Sequence, residues 1–134
     1  MTTPKSNIEE STTLNLQFEK RGGLLPCIAQ DEQSGKILMI GSINKEAWDK
    51  TVEIGYATFW STSRNELWTK GLSSGDLLKI EDILIDCDQD AVIYKVTKEG
   101  AGACHTKSQK GIARESCFYR SFNIKSKTLT ITEP

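Results

Sequence analysis

The stretch LLKIEDILIDCDQDAVIYKVTK, Leu77–Lys98, decides the fold. Two runs rich in Ile, Leu, Val and Tyr, residues that suit a pleated surface, flank Gln89-Asp90 and predict two consecutive strands of a hairpin-like unit. Asp86, Asp88 and Asp90 crowd the break at i, i+2, i+4. If the chain there is extended, all three carboxylates share one face and Cys87 points to the other. Carboxylates held so close repel one another unless a cation neutralises them, and hard oxygen ligands suit magnesium. Taken alone, DxDxD is more often a solvated acidic turn.

Working outward, YATFWSTS and ELWTKG read as strands around an Arg64-Asn65 turn. Before them, KEAWDKTVEI has Asn44 as N-cap and Gly55 just past its end, with Ala47, Trp48, Thr51, Val52 and Ile54 at helical spacing. LLPCIAQ and KILMIGSI are apolar strands joined through the turn chemistry of DEQSGK. LNLQF, Leu14–Phe18, alternates like a short strand, and Gly22-Gly23 breaks the chain after it. Residues 1–13 are polar and aperiodic, a flexible tail to a domain spanning 14–134. SCFYRSFNI and TLTIT follow downstream as further strands. The sum predicts an α+β, strand-dominated single domain with one main helix at about 44–54 and a mostly antiparallel sheet.

At 134 residues, 37% hydrophobic and 26% charged, the chain can bury a core without staples. A net charge of −1 argues against a nucleic-acid partner held by a basic field. No apolar run is long enough for a bilayer span, and MTTPKSNIEESTT lacks the apolar centre of a signal peptide. The expectation is a cytoplasmic protein with no membrane partner, whose four cysteines stay reduced.

Cys27 sits in an apolar strand and reads as a core residue. Cys87, Cys104 and Cys117 do not form the close CxxC pairs of a zinc ribbon; a site assembled from them would be of the catalytic kind, with three protein ligands and an open position. Cys104 follows a Gly/Ala run and precedes His105, the only histidine. In FWSTSRNELWTKGLSSG, residues Ser61, Ser63, Arg64, Lys70, Ser73 and Ser74 are donors suited to phosphate oxygens. Trp60 and Trp68 read as core residues first and as stacking platforms second.

The ordered set SxSRNxLWxKGxSSG, DCDxD, GACHT and SCFYR, with GLLPCIAQD and NKEAW before it, resembles phosphoribosyl-AMP cyclohydrolases from about Gly23 to Arg120. The resemblance implies a homodimer that hydrolyses the N1–C6 bond of 1-(5-phosphoribosyl)-AMP, the third step of histidine biosynthesis. It implies zinc, one per subunit and shared across the dimer, on Cys87, Cys104 and Cys117. It implies magnesium on Asp86, Asp88 and Asp90, and His105 as the group assisting proton transfer. Candidate substrate contacts are Arg64, Trp68, Lys70, Ser73, Ser74 and, for the second phosphate, Arg114 or Arg120. The chain leaves no room after this domain for the fused pyrophosphohydrolase that many relatives carry, so a separate phosphoribosyl-ATP pyrophosphohydrolase is expected upstream in the pathway.

Two departures from the family pattern stand out. The segment 107–116 between Cys104 and Cys117 is about twice the usual length, which loop-closure entropy tolerates. Leu72 occupies a position where the family typically has Glu. Two other readings compete: a nucleobase deaminase, against which the absent HxE and PCxxC signature counts, and a non-catalytic dimer stapled by zinc.

Overall fold

Cys27 in Leu25–Asp31 lies beside Val92 in Val92–Lys98, and this pairing joins the two halves of the molecule. The computed structural model describes residues 5–134. Its main sheet has six strands: β1 (Leu25–Asp31), β2 (Ile37–Ile43), β3 (Thr58–Ser61), β4 (Glu66–Thr69), β5 (Leu78–Ile85) and β6 (Val92–Lys98), in the order β4-β3-β2-β1-β6-β5. A separate two-stranded sheet pairs β7 (Arg120–Asn123) with β8 (Thr128–Ile131). The helices are α1 (Lys5–Glu10) and α2 (Lys45–Ile54), with a 3-10 turn at Glu19–Arg21.

The α+β architecture with one main helix is as the sequence implies. The mostly antiparallel sheet is not: the sheet is mixed, because β6 runs parallel to β1. Alternation identifies strands but carries no information about which edge a hairpin docks against. Residues 1–4 of the expected tail lie outside the described residues, and α1 occupies 5–10. Leu14–Phe18 is not a strand. Its backbone is pinned instead by Gln89, whose Oε1 accepts from Asn15 N (2.7 Å), whose Nε2 donates to Thr13 O (3.2 Å) and whose carbonyl accepts from Gln17 N (2.8 Å).

Asn44 caps α2 by accepting from Ala47 N at 2.8 Å, and Gly55 closes it in the left-handed conformation, φ 77°. Ala47, Trp48 and Thr51 are buried against the sheet, whereas Val52 and Ile54 fall on the flanks of that stripe and are exposed. Thr51 Oγ1 accepts from Thr58 N (3.0 Å) and from Tyr94 Oη (3.3 Å), tying helix to sheet in a buried setting. Gly41 must lack a side chain: a Cβ there would stand 2.6 Å from Phe59 Cδ1.

Facing away from α2, Ile40, Ile28, Ile93 and Leu84 stand side by side in register across β2, β1, β6 and β5. Ile40 is 54% and Leu84 45% exposed, so this aliphatic ladder is an uncovered sheet face.

Candidate functional site

The DCDQD segment closes the β5–β6 hairpin as a turn and not as extended chain. Gln89 adopts φ 55° and donates its N–H to Asp86 O at 3.1 Å. Asp86 Oδ1 accepts from the N–H groups of Asp90 (2.9 Å) and Ala91 (3.1 Å). The chain is therefore not extended here, and strand alternation is not what groups the carboxylates. The turn brings one ligand oxygen from each of Asp86, Asp88 and Asp90 within 4.8 Å of the others, and Cys87 is outside the group.

Lys20 and Arg21, which sequence reasoning missed, reach this triad. Lys20 Nζ lies 3.1 Å from Asp88 Oδ2 and 2.9 Å from Asp90 Oδ2; Arg21 Nη2 lies 3.1 Å from the same Asp90 oxygen. The Lys20 ammonium holds the Asp90 carboxyl well below the usual carboxylate range, while burial pushes Asp86 upward. Asp90 Oδ2 is buried, and its cationic neighbours are not aligned with it as hydrogen-bond donors. A buried acidic oxygen held only by ion pairs, flanked by two more carboxylates, has the donor chemistry of a hard divalent cation. The basic pair of EKRGG carries no local signal of its target, because Gln89 makes the contact by folding the preceding segment over the turn.

A second site lies in a cleft of about 570 Å³ lined by Arg64, Trp68, Lys70, Ser73, Ser74, Cys104, His105 and Cys117, among others. The structure thus gathers eight residues singled out from sequence. The thiols of Cys104 and Cys117 face each other, and partial burial with the neighbouring Cys104 pushes the Cys117 thiol up to about 11. Two neighbouring sulfurs suit a soft or borderline cation, which would bind them as thiolates. Thr106 aids the Cys104 sulfur, its hydroxyl 2.9 Å and its N–H 3.4 Å away.

Backbone bonds hold these thiols in place. Cys104 N donates to Arg114 O (3.1 Å), and Cys117 N donates to Leu38 O in β2 (2.7 Å). Buried Ser116 donates its hydroxyl to Ile37 O at 2.7 Å. Lys70 is buried, its Nζ donating to Asp76 O at 3.4 Å, and its positive charge lowers the Cys117 thiol against the larger opposing effects. Trp68 packs on Phe59, centroids 5.8 Å apart, yet stays 37% exposed and lines the cleft. Leu72 is 75% exposed on the rim.

Cys87 does not join Cys104 and Cys117; it lines a different depression, with Leu14, Ile85 and Gln89. Arg120 and Arg114 are not gathered with the other phosphate candidates. Both guanidinium groups sit over the Tyr119 ring, at 5.4 and 4.2 Å, and Arg114 Nε donates to Glu133 O. Buried Cys27 is a core residue.

A small α+β domain whose cleft sets cationic and hydroxyl side chains beside paired thiols and a tryptophan has the form of an enzyme that handles a small molecule. The phosphoribosyl-AMP cyclohydrolase family profile matches residues 39–119. The phosphoribosyl-AMP cyclohydrolase of Desulfatibacillum aliphaticivorans is 50% identical over 80% of this chain and 81% of its own length. Those of Desulfotalea psychrophila, at 51% over 80% of each chain, and Methanothermobacter thermautotrophicus, at 45% over 89% of this chain and 82% of its own, are similar. The chain belongs to the phosphoribosyl-AMP cyclohydrolase family. No helix among the described residues is long and apolar enough to cross a membrane.

Proposed function

We propose that this protein opens the purine ring of 1-(5-phosphoribosyl)-AMP at the N1–C6 bond, within histidine biosynthesis, and works as a homodimer with zinc and magnesium. The observation that carries this reading is the single cleft in which Cys104, Cys117 and His105 meet Arg64, Trp68, Lys70, Ser73 and Ser74. Cys104, Cys117 and a Cys87 would hold zinc; Asp86, Asp88 and Asp90 would hold magnesium. Zinc supplies Lewis acidity that makes water nucleophilic near neutral pH.

The substrate's N1 substituent leaves the ring easily cationic, so C6 is electrophilic. Oxygen from water bonds to C6, the C6–N1 bond breaks, and C6 keeps its amino group as a carboxamide. N1 must gain a proton as it departs. His105, beside Cys104 on the cleft wall, takes the proton from water and returns it to N1. Trp68 offers its open face to the purine, and Arg64 with Ser73 and Ser74 binds a phosphate at the rim. Buried Lys70, next to the thiols, acts nearer the reacting atoms than the phosphates.

The separation of Cys87 from the other two cysteines supports a second copy as its destination. The Ile40-Ile28-Ile93-Leu84 ladder supports the same reading, since parallel strands are usually covered on both faces, and β5 leads from it directly to Asp86 and Cys87.

The test is conversion of phosphoribosyl-AMP, followed by the absorbance change on ring opening, with zinc-loaded, zinc-stripped and Cys117→Ser protein side by side. Turnover in the zinc-loaded wild type alone is expected. A folded, zinc-replete dimer without turnover would overturn the reading and favour a stapled structural dimer.

A further inference from the structure

Asp76 ends the loop that carries Lys70, Ser73 and Ser74, and it is wedged between two glycines. A Cβ on Gly71 would lie 2.2 Å from the Asp76 carbonyl, and one on Gly100 would lie 2.0 Å from Asp76 Oδ1. Neither position has room for a side chain, because Asp76 fills the space between the two loops. Across the gap, Asp76 Oδ1 accepts the N–H of Ala101 at 3.0 Å.

Ala101 opens the segment that leads into Cys104 and His105. The far side of that segment is clamped as well: Ala103 N donates to Glu115 O at 2.9 Å, and a Cβ on Gly102 would meet Arg114 O at 2.2 Å. On its own loop, Asp76 accepts from Lys70 Nζ through its carbonyl, and its N–H donates to Ser74 Oγ at 3.2 Å. One residue therefore links the loop of phosphate-suited donors to the loop of thiol and imidazole, each by a directional bond.

Resting on the activity proposed above, we infer that Asp76 is a positioning residue that sets the separation of the two cleft walls through the Ala101 N–H. The role requires an acceptor at this point, not a negative charge, so asparagine can fill it and alanine cannot. Displacement of catalytic groups by about 1 Å can cost about a hundredfold in rate, so a residue remote from the reacting bond can control it.

The experiment compares wild type, Asp76→Asn and Asp76→Ala, all zinc-loaded. It reads kcat and KM for phosphoribosyl-AMP, zinc per chain, and exchange of the Ala101 amide proton by NMR. Asp76→Ala is expected to lower kcat/KM by about tenfold to a hundredfold, to keep its zinc and to speed Ala101 exchange; Asp76→Asn should restore both rate and protection. Equal impairment of the two variants would overturn the inference in favour of a direct role for the charge. Wild-type rate and Ala101 protection in a folded Asp76→Ala would overturn it outright. If the wild type itself fails to turn over, the activity reading falls, and Ala101 exchange in the two variants still decides whether Asp76 holds that loop.

Discussion

His105 and Lys20 illustrate what a single residue reveals before and after folding. His105 stands out in sequence only through the family resemblance, because a lone CH dipeptide is by itself weak evidence of a catalyst, and the fold places it on the cleft wall beside Cys104. His105→Ala should lower kcat by about 10²–10⁴-fold with zinc content retained; parallel loss of zinc and rate would show that it acts as a ligand. Lys20 could not be read, since its acidic partners lie far along the chain and the contact depends on Gln89 holding Thr13–Gln17. If magnesium occupies the triad, it competes with Lys20 Nζ for Asp88 and Asp90. Lys20→Met should then tighten magnesium binding about three- to tenfold by removing a like charge, as calorimetric titration would read. Unchanged affinity would mean that the ion binds without displacing the lysine.

At the scale of elements, strands and helix were legible because alternation and caps are local properties. Leu14–Phe18 was misread because five alternating residues satisfy the strand pattern equally well when a side chain, not a neighbouring strand, pairs with their backbone. Val52 and Ile54 are apolar, yet helical geometry carries them off the buried stripe. Thr51 does the opposite, a polar residue kept inside by its bonds to Thr58 and Tyr94. Thr51→Val should cost about 1–3 kcal/mol, because it leaves buried donors without an acceptor; a denaturant midpoint equal to wild type would show that water takes its place.

The elements also meet electrostatically where Lys36 and Lys98 grip Glu115. Lys98 first and Lys36 second hold the Glu115 carboxyl below its ordinary value of 4.5, so folding binds its proton less well than the unfolded chain does. The stability it contributes is present above about pH 4.5 and is lost as pH falls through the lower folded value. Unfolding midpoints measured from pH 7 to 3 should decline less steeply in Glu115→Gln than in wild type.

For the whole molecule, sequence pattern yielded the class but not the neighbour relations. The Cys104–Cys117 pair, its cleft and the separation of Cys87 follow from topology, which residue spacing cannot encode. The uncovered ladder gives a direct check on assembly. Ile28→Glu places a charge at its centre and should convert a dimer to monomers in sedimentation, with zinc per chain falling alongside. A dimer that persists with full zinc would place the interface elsewhere.

The parallel junction of β1 and β6 also governs how this chain can fold. β1-β2, β3-β4 and β5-β6 each close between neighbours in sequence, so each can form early at small entropic cost. The Cys27–Val92 pairing must instead bring together two regions separated by nearly the entire central chain. Contacts of that range are slow to form, so the step that unites the sheet belongs late in folding. Until then the edges of β1 and β6 are unpaired and open to pairing with another chain.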